Sequence, residues 1–225
     1  SYISIVIGNS DYCHFTYYYD SSNSLYYGYD EASRSQTILF NNVNEGGKFA
    51  TLALDANNKP HISFYGNGLK YNYRDLNDYH RQEVVVDNPN AGFHSSFTLD
   101  QNDTPHFAYV DLETGGLKYV KDIGGAGKRA WQIEIVDTPG THDGQRICLV
   151  LDEHNLPHIS YYDANMKAIK YAWHDGTEWV IVEERPSSGG DIGQYAALAL
   201  DHLGNAHISH YDAVNQNLLY SKFTH

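Results

Sequence analysis

Pro157-His158-Ile159-Ser160 and Pro60-His61-Ile62-Ser63 are two copies of the four-residue stretch that decides the fold of this chain. The stretch recurs with small changes along the 225 residues, at intervals of 45 to 52 residues, and each copy keeps its histidine. These histidines are His14, His61, His106, His158 and His207. A period of this length is typical of repeat architectures, in which each unit buries its apolar faces against its neighbours. The repeat therefore indicates a fold more directly than it indicates a function.

The fourth repeat shows the pattern of one unit most clearly. It contains four short apolar segments, rich in Ile, Val, Tyr and Trp and separated by Gly, Asn, Asp or Pro. The segments are residues 147–152, 157–163, 168–173 and 179–183. Short β-branched and aromatic runs between turn residues are typical of antiparallel strands. Each repeat is therefore predicted to form a four-stranded antiparallel meander.

Five such sheets in sequence predict an all-β fold, a five-bladed β-propeller of four-stranded antiparallel blades. We expect one domain over residues 1–225 because no linker interrupts the repeat. The predicted blades span residues 1–44, 45–89, 90–138, 139–188 and 189–225. The last blade has no sequence for an outer strand before residue 225. It either has three strands, with residues 2–7 as the inner strand of the first blade, or residues 2–7 complete it. A third alternative is a longer natural polypeptide.

Composition and charge exclude several classes of partner. Fifteen Lys and Arg stand against 28 Asp and Glu, which gives a net charge of −13. This charge repels phosphate backbones and anionic membrane surfaces, so we predict no nucleic-acid partner. No apolar run approaches the roughly 18 residues of a membrane span, and no signal-peptide pattern is present. We expect a soluble chain without membrane insertion.

The two cysteines are predicted to be free and buried. Cys13 and Cys148 fall in the first and fourth repeats, at different strand positions. These repeats are not neighbours in a ring of five, and a disulfide reaches only a few ångströms. A bridge between them is therefore not expected.

The repeated Leu52-Ala53-Leu54-Asp55, Pro60-His61-Ile62-Ser63 and Leu69-Lys70-Tyr71 type of unit resembles the repeats of β-propeller proteins. The resemblance covers nearly the whole chain. In blade count and repeat length the chain is similar to tachylectin-type lectins and to other secreted, bacterial-type propellers. The resemblance implies a secreted or cell-surface location and an architecture shared by lectins, lyases, glycosidases and scaffolds. It assigns no activity and no binding residue.

The repeated histidines suggest two roles. Some propeller oxygenases hold iron with histidines from several blades, but such ligands must converge to about 2 Å from one ion. Here each histidine opens the second strand, away from the axis, so we predict no metal site. The alternative is a hydrogen bond to the preceding aspartate. The predicted pairs are Asp55 with His61, Asp100 with His106, Asp152 with His158, and Asp201 with His207. His14 needs another partner because Gly8 replaces the aspartate.

Two turns have oxygen ligands at alternate positions. They are Asp55-Ala56-Asn57-Asn58 and Asp100-Gln101-Asn102-Asp103. Calcium binding is one interpretation, but the turns lack the carboxylate run and distant Glu of a strong calcium loop. Tight hairpin turns explain the same residues. We predict no cofactor and keep calcium as the lesser alternative.

The chain contains twenty tyrosines, which could serve either to stack on sugars or to pack in the core. Tyr71, Tyr119, Tyr171 and Tyr220 recur at one position of the repeat and are predicted to lie mostly in the core. The tyrosine that breaks the pattern is Tyr195, just before an inner strand. A tyrosine ring accepts the face of a sugar, and its hydroxyl adds a hydrogen bond.

Residues that differ between repeats predict the binding site. Phe49, His94, Arg146 and Tyr195 occupy similar positions in the segments that enter the inner strands, and these segments meet at one mouth of a propeller channel. His142, Asp143 and Arg146 add acid, base and anion-binding groups. The predicted ligand-binding set is Phe49, His94, His142, Asp143, Arg146 and Tyr195. The alternative is an ordinary polar rim filled with water.

The favoured function is carbohydrate recognition, with a glycan or other small molecule as partner, at pockets between blades or at the channel mouth. No Gly-x-Ser-x-Gly nucleophile sequence is present, which favours binding over catalysis. A polysaccharide lyase or glycoside hydrolase with its site at the channel mouth is the first alternative. A protein-interaction scaffold with a broad exposed patch is the second.

Overall fold

The structure is a computed structural model that describes residues 3–9, 11–22, 24–31, 34–41, 46–74, 81–125, 129–138, 146–186 and 189–224. These residues form nineteen β-strands and contain no helix. Within this part of the chain, therefore, nothing helical is long and apolar enough to cross a membrane. The predicted all-β class is confirmed.

The strands pair in chain order into five antiparallel sheets. The first sheet contains β1 (Ile3–Ile7), β2 (Cys13–Tyr19), β3 (Ser24–Glu31) and β4 (Arg34–Asn41). The second contains β5 (Gly46–Leu54), β6 (Pro60–Gly66), β7 (Leu69–Arg74) and β8 (Arg81–Val85). The third contains β9 (Ala91–Leu99), β10 (Pro105–Asp111), β11 (Gly116–Asp122) and β12 (Trp131–Asp137). The fourth contains β13 (Cys148–Leu151), β14 (Pro157–Asp163), β15 (Ala168–His174) and β16 (Trp179–Glu184), and the last contains β17 (Ile192–Leu200), β18 (Ala206–Asp212) and β19 (Asn217–Phe223).

The N-terminal strand belongs to the first sheet. β1 pairs with β2 in antiparallel register, with Val6 opposite His14. The last sheet has three strands among the described residues. Of the two places considered for the N-terminal strand, the structure therefore selects the edge of the first sheet beside β2.

The chain divides into two compact units, Ser1–Pro105 and His106–His225. In the first unit, an apolar cluster joins Leu25 and Tyr27 of β3 to Leu52 of β5. In the second unit, Ile169 and Tyr171 of β15 pack in one cluster with residues of β17. The third strand of one sheet thus buries its aliphatic and aromatic side chains against the first strand of the next sheet.

The recurring tyrosines are core residues in most repeats. Tyr71, Tyr119 and Tyr171 are buried, as predicted. Tyr220 differs from these three, since it is 61% exposed. Tyr220 lies in the last of the five sheets.

The repeated histidines bond to the repeated tyrosines, a contact that the repeat pattern does not predict. The Tyr27 hydroxyl lies 2.7 Å from Nδ1 of His14, and the corresponding Oη–Nδ1 distance is 2.5 Å for Tyr171 and His158. The other pairs are His61 with Tyr71, His106 with Tyr119, and His207 with Tyr220. Each bond joins the second strand to the third strand of its own sheet. The five repeats therefore share one polar side-chain contact besides their backbone ladder, which is buried in the first four repeats and exposed in the last.

The aspartates before these histidines mainly close turns. In the fourth repeat, Oδ1 of Asp152 accepts the backbone N–H groups of His154 and Leu156, at 2.9 and 2.7 Å. The predicted bond to histidine is confirmed in the last repeat, where Nε2 of His207 lies 3.1 Å from Asp201.

Two other predicted His–Asp pairs are too long for a hydrogen bond. For His61 and Asp55, and for His158 and Asp152, the Nε2–Oδ2 distance is 3.7 Å, beyond hydrogen-bond length. The prediction of hydrogen bonds there is wrong, because the turn amides hold each aspartate by its other oxygen. His14, whose repeat has Gly8 in place of the aspartate, uses Tyr27 as its partner.

The two candidate calcium turns have their Oδ1 atoms in backbone contacts. Oδ1 of Asp55 accepts the N–H groups of Asn57 and Lys59, and Oδ1 of Asp103 accepts the N–H of Ala56 at 3.0 Å. Asn58 likewise accepts the N–H of Asn9 at 2.8 Å. In the first unit, these bonds link the turns of successive sheets.

Both cysteines are free, as predicted. The prediction that they are buried is wrong, since Cys13 and Cys148 are each partly exposed. Cys148 opens β13, two residues after the exposed Arg146. Desolvation still raises the pKa of Cys148, and the Leu198 carbonyl lies 3.8 Å from its sulfur.

Candidate functional site

The first strands of three sheets carry an aromatic residue in a left-handed backbone conformation. Phe49, His94 and Tyr195 have φ of 56°, 49° and 53°. In β5 and β17, the register with the neighbouring strand shifts at this place, which marks a β-bulge. A bulky residue with positive φ costs about 1–2 kcal/mol and persists only where its surroundings hold it. The same strained position is therefore kept in three repeats with three different side chains.

A glycine two residues earlier explains how the bulge forms. Gly47, Gly92 and Gly193 have φ of 116°, 98° and 109°. A Cβ on Gly92 would lie 2.7 Å from Cα of Leu69, and a Cβ on Gly193 would lie 2.7 Å from Cα of Ile169. Only glycine lets the first strand approach the preceding sheet so closely. We call this end of the sheets, where the second strand ends and the next first strand begins, the bulge end.

In the first unit, the bulge end carries four aromatic rings. The ring centroids of Phe49 and His94 are 4.3 Å apart at 57°, and those of Tyr65 and Phe93 are 4.2 Å apart. Phe49 and Phe93 connect the two pairs at 5.8 Å. We call Phe49, Tyr65, Phe93 and His94 the aromatic cluster. All four are partly exposed, so the cluster combines accessible ring surface with the Tyr65 hydroxyl and the His94 imidazole.

In the second unit, the corresponding place is polar. The Tyr162 hydroxyl donates to Oδ1 of Asp191 at 2.8 Å, and the Gln194 amide donates to the same oxygen at 3.3 Å. Burial, then the hydrogen bond and the charge of Asp191, raise the pKa of Tyr162, so its hydroxyl stays protonated. Tyr195 is 61% exposed beside this group, with its ring centroid 6.5 Å from that of Tyr211. The arrangement offers one exposed ring next to an oriented carboxylate.

A buried ionic network holds the strand ends near this place. Nζ of Lys170 lies 2.6 Å from Asp163 and 2.8 Å from Asp137, and the Tyr161 hydroxyl donates to Asp137 at 2.7 Å. Burial opposes ionisation of Asp137, but the Lys170 ammonium and the Tyr161 hydroxyl outweigh it and hold its pKa below the usual range. The same contacts outweigh burial at Lys170 and raise its pKa. These groups are paired with one another and serve to position the bulge end.

The structure brings together part of the predicted site. Phe49 and His94 are in contact in the first unit. Tyr195 and Arg146 belong to the second unit, and both are exposed there. His142 and Asp143 lie outside the described residues. Four further residues were missed: Tyr65, Phe93, Asp191 and Gln194. In the sequence, the signal for these bulges is a glycine two residues before an aromatic residue, as in Gly92 and His94 and in Gly193 and Tyr195. The missed residues lie next to the bulges.

A second concave surface lies at the opposite end of the last two sheets. This groove has a volume of about 630 Å³ and is lined by His154, Trp173, His174, Asp175, Asp201 and His202, among others. Hydrogen bonds from Thr177 and Glu178 lower the pKa of Asp175 to about 2. The Asp201 carboxylate is hydrogen-bonded to the side chains of Asn205 and His207. Within the described residues, no group of three or more His, Cys, Asp or Glu side chains is arranged to hold a metal ion. The bulge end, with its strained aromatic residues, is the stronger candidate site.

No protein-family model matches this sequence, and no curated protein matches it. Solved structures match it in fold. A mutant of AofleA from Arthrobotrys oligospora matches with a TM-score of 0.66 and 12% identity, over 100% of this chain and 69% of that chain. A mutant of the Aleuria aurantia lectin, in complex with Fucα1-6GlcNAc, matches with 0.59 and 13%, over 100% and 79%. The endo-arabinase of Bacteroides thetaiotaomicron matches with 0.55 and 11%, over 99% and 93%. At such identity the likeness concerns the fold alone.

Proposed function

We propose that this protein is a five-bladed β-propeller lectin, one domain, secreted or displayed at the cell surface, that binds carbohydrate at the bulge end of its blades. The observation that carries the proposal is the strained position shared by Phe49, His94 and Tyr195. Strain of this kind clusters at binding sites, where it aims a side chain at a ligand. The matching structures support the proposal, since they include a lectin in complex with Fucα1-6GlcNAc.

The ligand is a neutral glycan. In the aromatic cluster, the rings of Phe49 and His94 provide a stacking surface for the apolar face of a sugar. In the second unit, Tyr195 provides the ring, while Asp191 and Gln194 provide an acceptor and a donor for sugar hydroxyls. The net charge of −13 repels uronates and sulfated sugars. Arg146, His142 and Asp143 complete the proposed rim in the fourth blade, and no cofactor takes part.

Binding is favoured over glycan cleavage by the composition of the aromatic cluster. Glycoside hydrolysis generally needs two carboxyl groups on either side of the scissile bond, about 5 to 9.5 Å apart. Phe49, Tyr65, Phe93 and His94 include no carboxyl group. The cluster can hold a sugar, but it supplies neither the acid nor the nucleophile of a glycosidase.

A glycan array followed by calorimetry on the whole chain tests the proposal. We expect binding of neutral glycans, and Phe49→Ala and Tyr195→Asn should each weaken binding at their own site about tenfold, or about 1.4 kcal/mol. Asparagine tolerates positive φ, so Tyr195→Asn removes the ring and keeps the bulge. Leu203→Ala, an exposed apolar residue at the opposite end, is the matched control. Absence of neutral-glycan binding, unchanged affinity in both variants, or cleavage of the bound glycan would overturn the proposal.

A further inference from the structure

In the first unit, the turns between the first and second strands are linked from sheet to sheet. Oδ1 of Asn58 accepts the backbone N–H of Asn9 at 2.8 Å, and Oδ1 of Asp103 accepts that of Ala56 at 3.0 Å. Asn58 and Asp103 each stand three residues before the repeated histidine and have a left-handed backbone, with φ of 61° and 60°. A side chain at this position therefore ties its turn to the turn of the preceding sheet.

In the last sheet this position is a glycine, and the groove opens beside it. Gly204 stands three residues before His207 with φ of 82°, but it has no side chain that could reach the turn of the fourth sheet. A Cβ added at Gly204 would have no described atom within 4 Å. The groove of about 630 Å³ is lined by residues of both turns, among them Glu153 and Gly204. The described residues that line it all belong to the second unit, and its volume suits a small ligand.

The groove is acidic. Its described lining contains neither Lys nor Arg but has the four carboxylates of Asp152, Glu153, Asp175 and Asp201, besides the imidazoles of His154, His158, His174 and His202. Asp201 is partly compensated by Lys222, whose Nζ lies 3.7 Å from its Oδ2. Asp175 is exposed, and Thr177 and Glu178 donate their hydrogen bonds to its Oδ1. A concave surface lined by carboxylates attracts cations.

An indole ring adds a second feature that favours a cation. Trp173 lines the groove and is partly exposed. Its ring stacks on that of Tyr171, with the centroids 5.2 Å apart and the planes 20° apart, which fixes its orientation. The first two repeats have Tyr29 and Tyr73 at the position of Trp173. Of the aromatic side chains, tryptophan attracts cations most strongly, and here it lines the groove that Gly204 leaves open.

We propose that the groove is a second binding site, which takes a small organic cation. The ammonium group of the ligand binds the Trp173 ring and the carboxylates of Asp175 and Glu153, and the rest of the ligand fills the space beside Gly204. An alkylammonium ion and an amino sugar share this chemistry. The groove lies at the opposite end of the sheets from the bulge end, so the proposal does not rest on carbohydrate binding there.

An NMR titration of the isotope-labelled whole chain with choline tests the site. The measurement is made at about pH 8, where histidine is ordinarily neutral. The indole N–H signal of Trp173 should shift saturably, with a Kd of about 1 mM or below, while that of Trp131, outside the groove, stays in place. Dimethylbutanol, in which carbon replaces the choline nitrogen, should bind at least about tenfold more weakly because it carries no charge.

Glucosamine and N-acetylglucosamine distinguish the two sources of the ammonium group. Glucosamine should bind and its acetylated, neutral form should not. Tighter binding of glucosamine than of choline assigns the groove to an amino sugar, and the reverse order assigns it to an alkylammonium ion. Either order supports the proposal.

Two substitutions change the groove without disturbing the core. Gly204→Asn restores the side chain that Asn58 provides in the second repeat, and asparagine tolerates positive φ. It should weaken choline binding at least about tenfold and leave the melting temperature unchanged or higher, because the new side chain fills the open space. Asp175→Asn keeps an Oδ1 acceptor for the turn and removes the charge, and should weaken binding about fivefold.

Glu113→Gln is the matched control, because it removes the same charge from an exposed turn outside the groove. It should bind choline like the unaltered chain. The proposal is overturned if neither choline nor glucosamine binds, if dimethylbutanol binds as tightly as choline, or if both groove variants keep full affinity. Loss of choline binding in Tyr195→Asn but not in Gly204→Asn also overturns it, because the cation then binds at the bulge end. Failure of neutral glycans to bind leaves these results unchanged.

Discussion

At the scale of single residues, the recurring unit is a histidine bonded to a tyrosine. In the last repeat, Nε2 of His207 faces the Asp201 carboxylate, so Nε2 carries the proton and Nδ1 accepts from Tyr220. His158 has the same arrangement, with Nε2 turned toward Asp152 and Nδ1 toward the Tyr171 hydroxyl. In the first four repeats the pair satisfies two buried polar groups with one bond. It explains why histidine and tyrosine recur together although neither is predicted to contact a ligand.

Removing the buried hydroxyl of Tyr171 should destabilise the fold. Tyr171→Phe leaves Nδ1 of the buried His158 without its donor, so we expect the free energy of unfolding to fall by about 1–3 kcal/mol. Tyr220→Phe removes the same bond where tyrosine is exposed and water can replace it, and should cost at most about 0.5 kcal/mol. Urea denaturation of both variants measures the difference. Equal losses would show that the bond does not stabilise the fold through burial.

Two buried histidines predict a loss of stability in acid. Burial lowers the pKa of His14, and it also lowers that of His210 despite the charges of Glu184 and Asp212. Both are neutral in the folded protein, whereas unfolded histidine takes up a proton near pH 6.5. Below that pH the unfolded state binds more protons, so stability falls as pH falls toward the lowered folded pKa.

Urea denaturation at about pH 7.5 and about pH 5.5 measures this effect. His210→Gln should reduce the loss of stability between the two pH values. His154→Gln is the control, because His154 is exposed and its substitution should leave the pH dependence unchanged. A pH dependence identical in both variants and in the unaltered protein would contradict the assignment.

At the scale of the strand, the bulge couples packing to the candidate site. Gly193 lets β17 approach Ile169, and two residues later the chain turns Tyr195 outward in a left-handed conformation. Gly92 and His94 form the same glycine and aromatic arrangement in the first unit. The cost of the strained aromatic residue is offset by the close packing that the glycine permits. The element that joins two sheets is therefore also the element that presents the ring.

A side chain at Gly193 should weaken the packing between β17 and the preceding sheet. Gly193→Ala places a Cβ 2.7 Å from the backbone of Ile169 at a φ that disfavours side chains, so we expect a loss of about 1–3 kcal/mol. Gly125→Ala is the control, since no atom lies within 4 Å of its added Cβ. Thermal unfolding compares the two. A melting temperature unchanged by Gly193→Ala would refute the close-approach explanation.

At the scale of the whole molecule, repetition predicts multivalent binding. Each unit carries bulge residues, Phe49 and His94 in the first and Tyr195 in the second. Sites of modest affinity on one chain increase the apparent affinity for a polymer, because the second contact becomes intramolecular. The proposed lectin is therefore suited to repeated glycans rather than to a free monosaccharide.

A polymeric neutral glycan should bind at least about a hundredfold more tightly than its monosaccharide. Phe49→Ala should remove most of this gain and leave monosaccharide binding in the second unit intact. Calorimetry with both ligands gives the affinities and the stoichiometry. A stoichiometry of one sugar per chain would contradict multivalency, whatever the affinity.

Much of the fold was predictable because strand periodicity and turn residues are local signals. The second strand of the fourth repeat was predicted as residues 157–163, and β14 spans Pro157–Asp163. The site was predictable only in part. Phe49 and His94 were identified as differences between repeats, but Tyr65 was not, because its position after the repeated histidine resembles a core position. Its place beside Phe93 depends on the next sheet.

The sequence by itself determined the all-β class, the order of the strands and their antiparallel pairing, because these follow from alternating apolar residues and turns within one repeat. The tertiary structure alone decided which residues meet. His158 forms its hydrogen bond with Tyr171 and not with Asp152. Phe49 packs against His94, and Ile5 and Tyr220 are exposed. These outcomes depend on the distance between one sheet and the next. Side-chain packing between repeats sets that distance, and the alternation of residues within a single strand does not predict it.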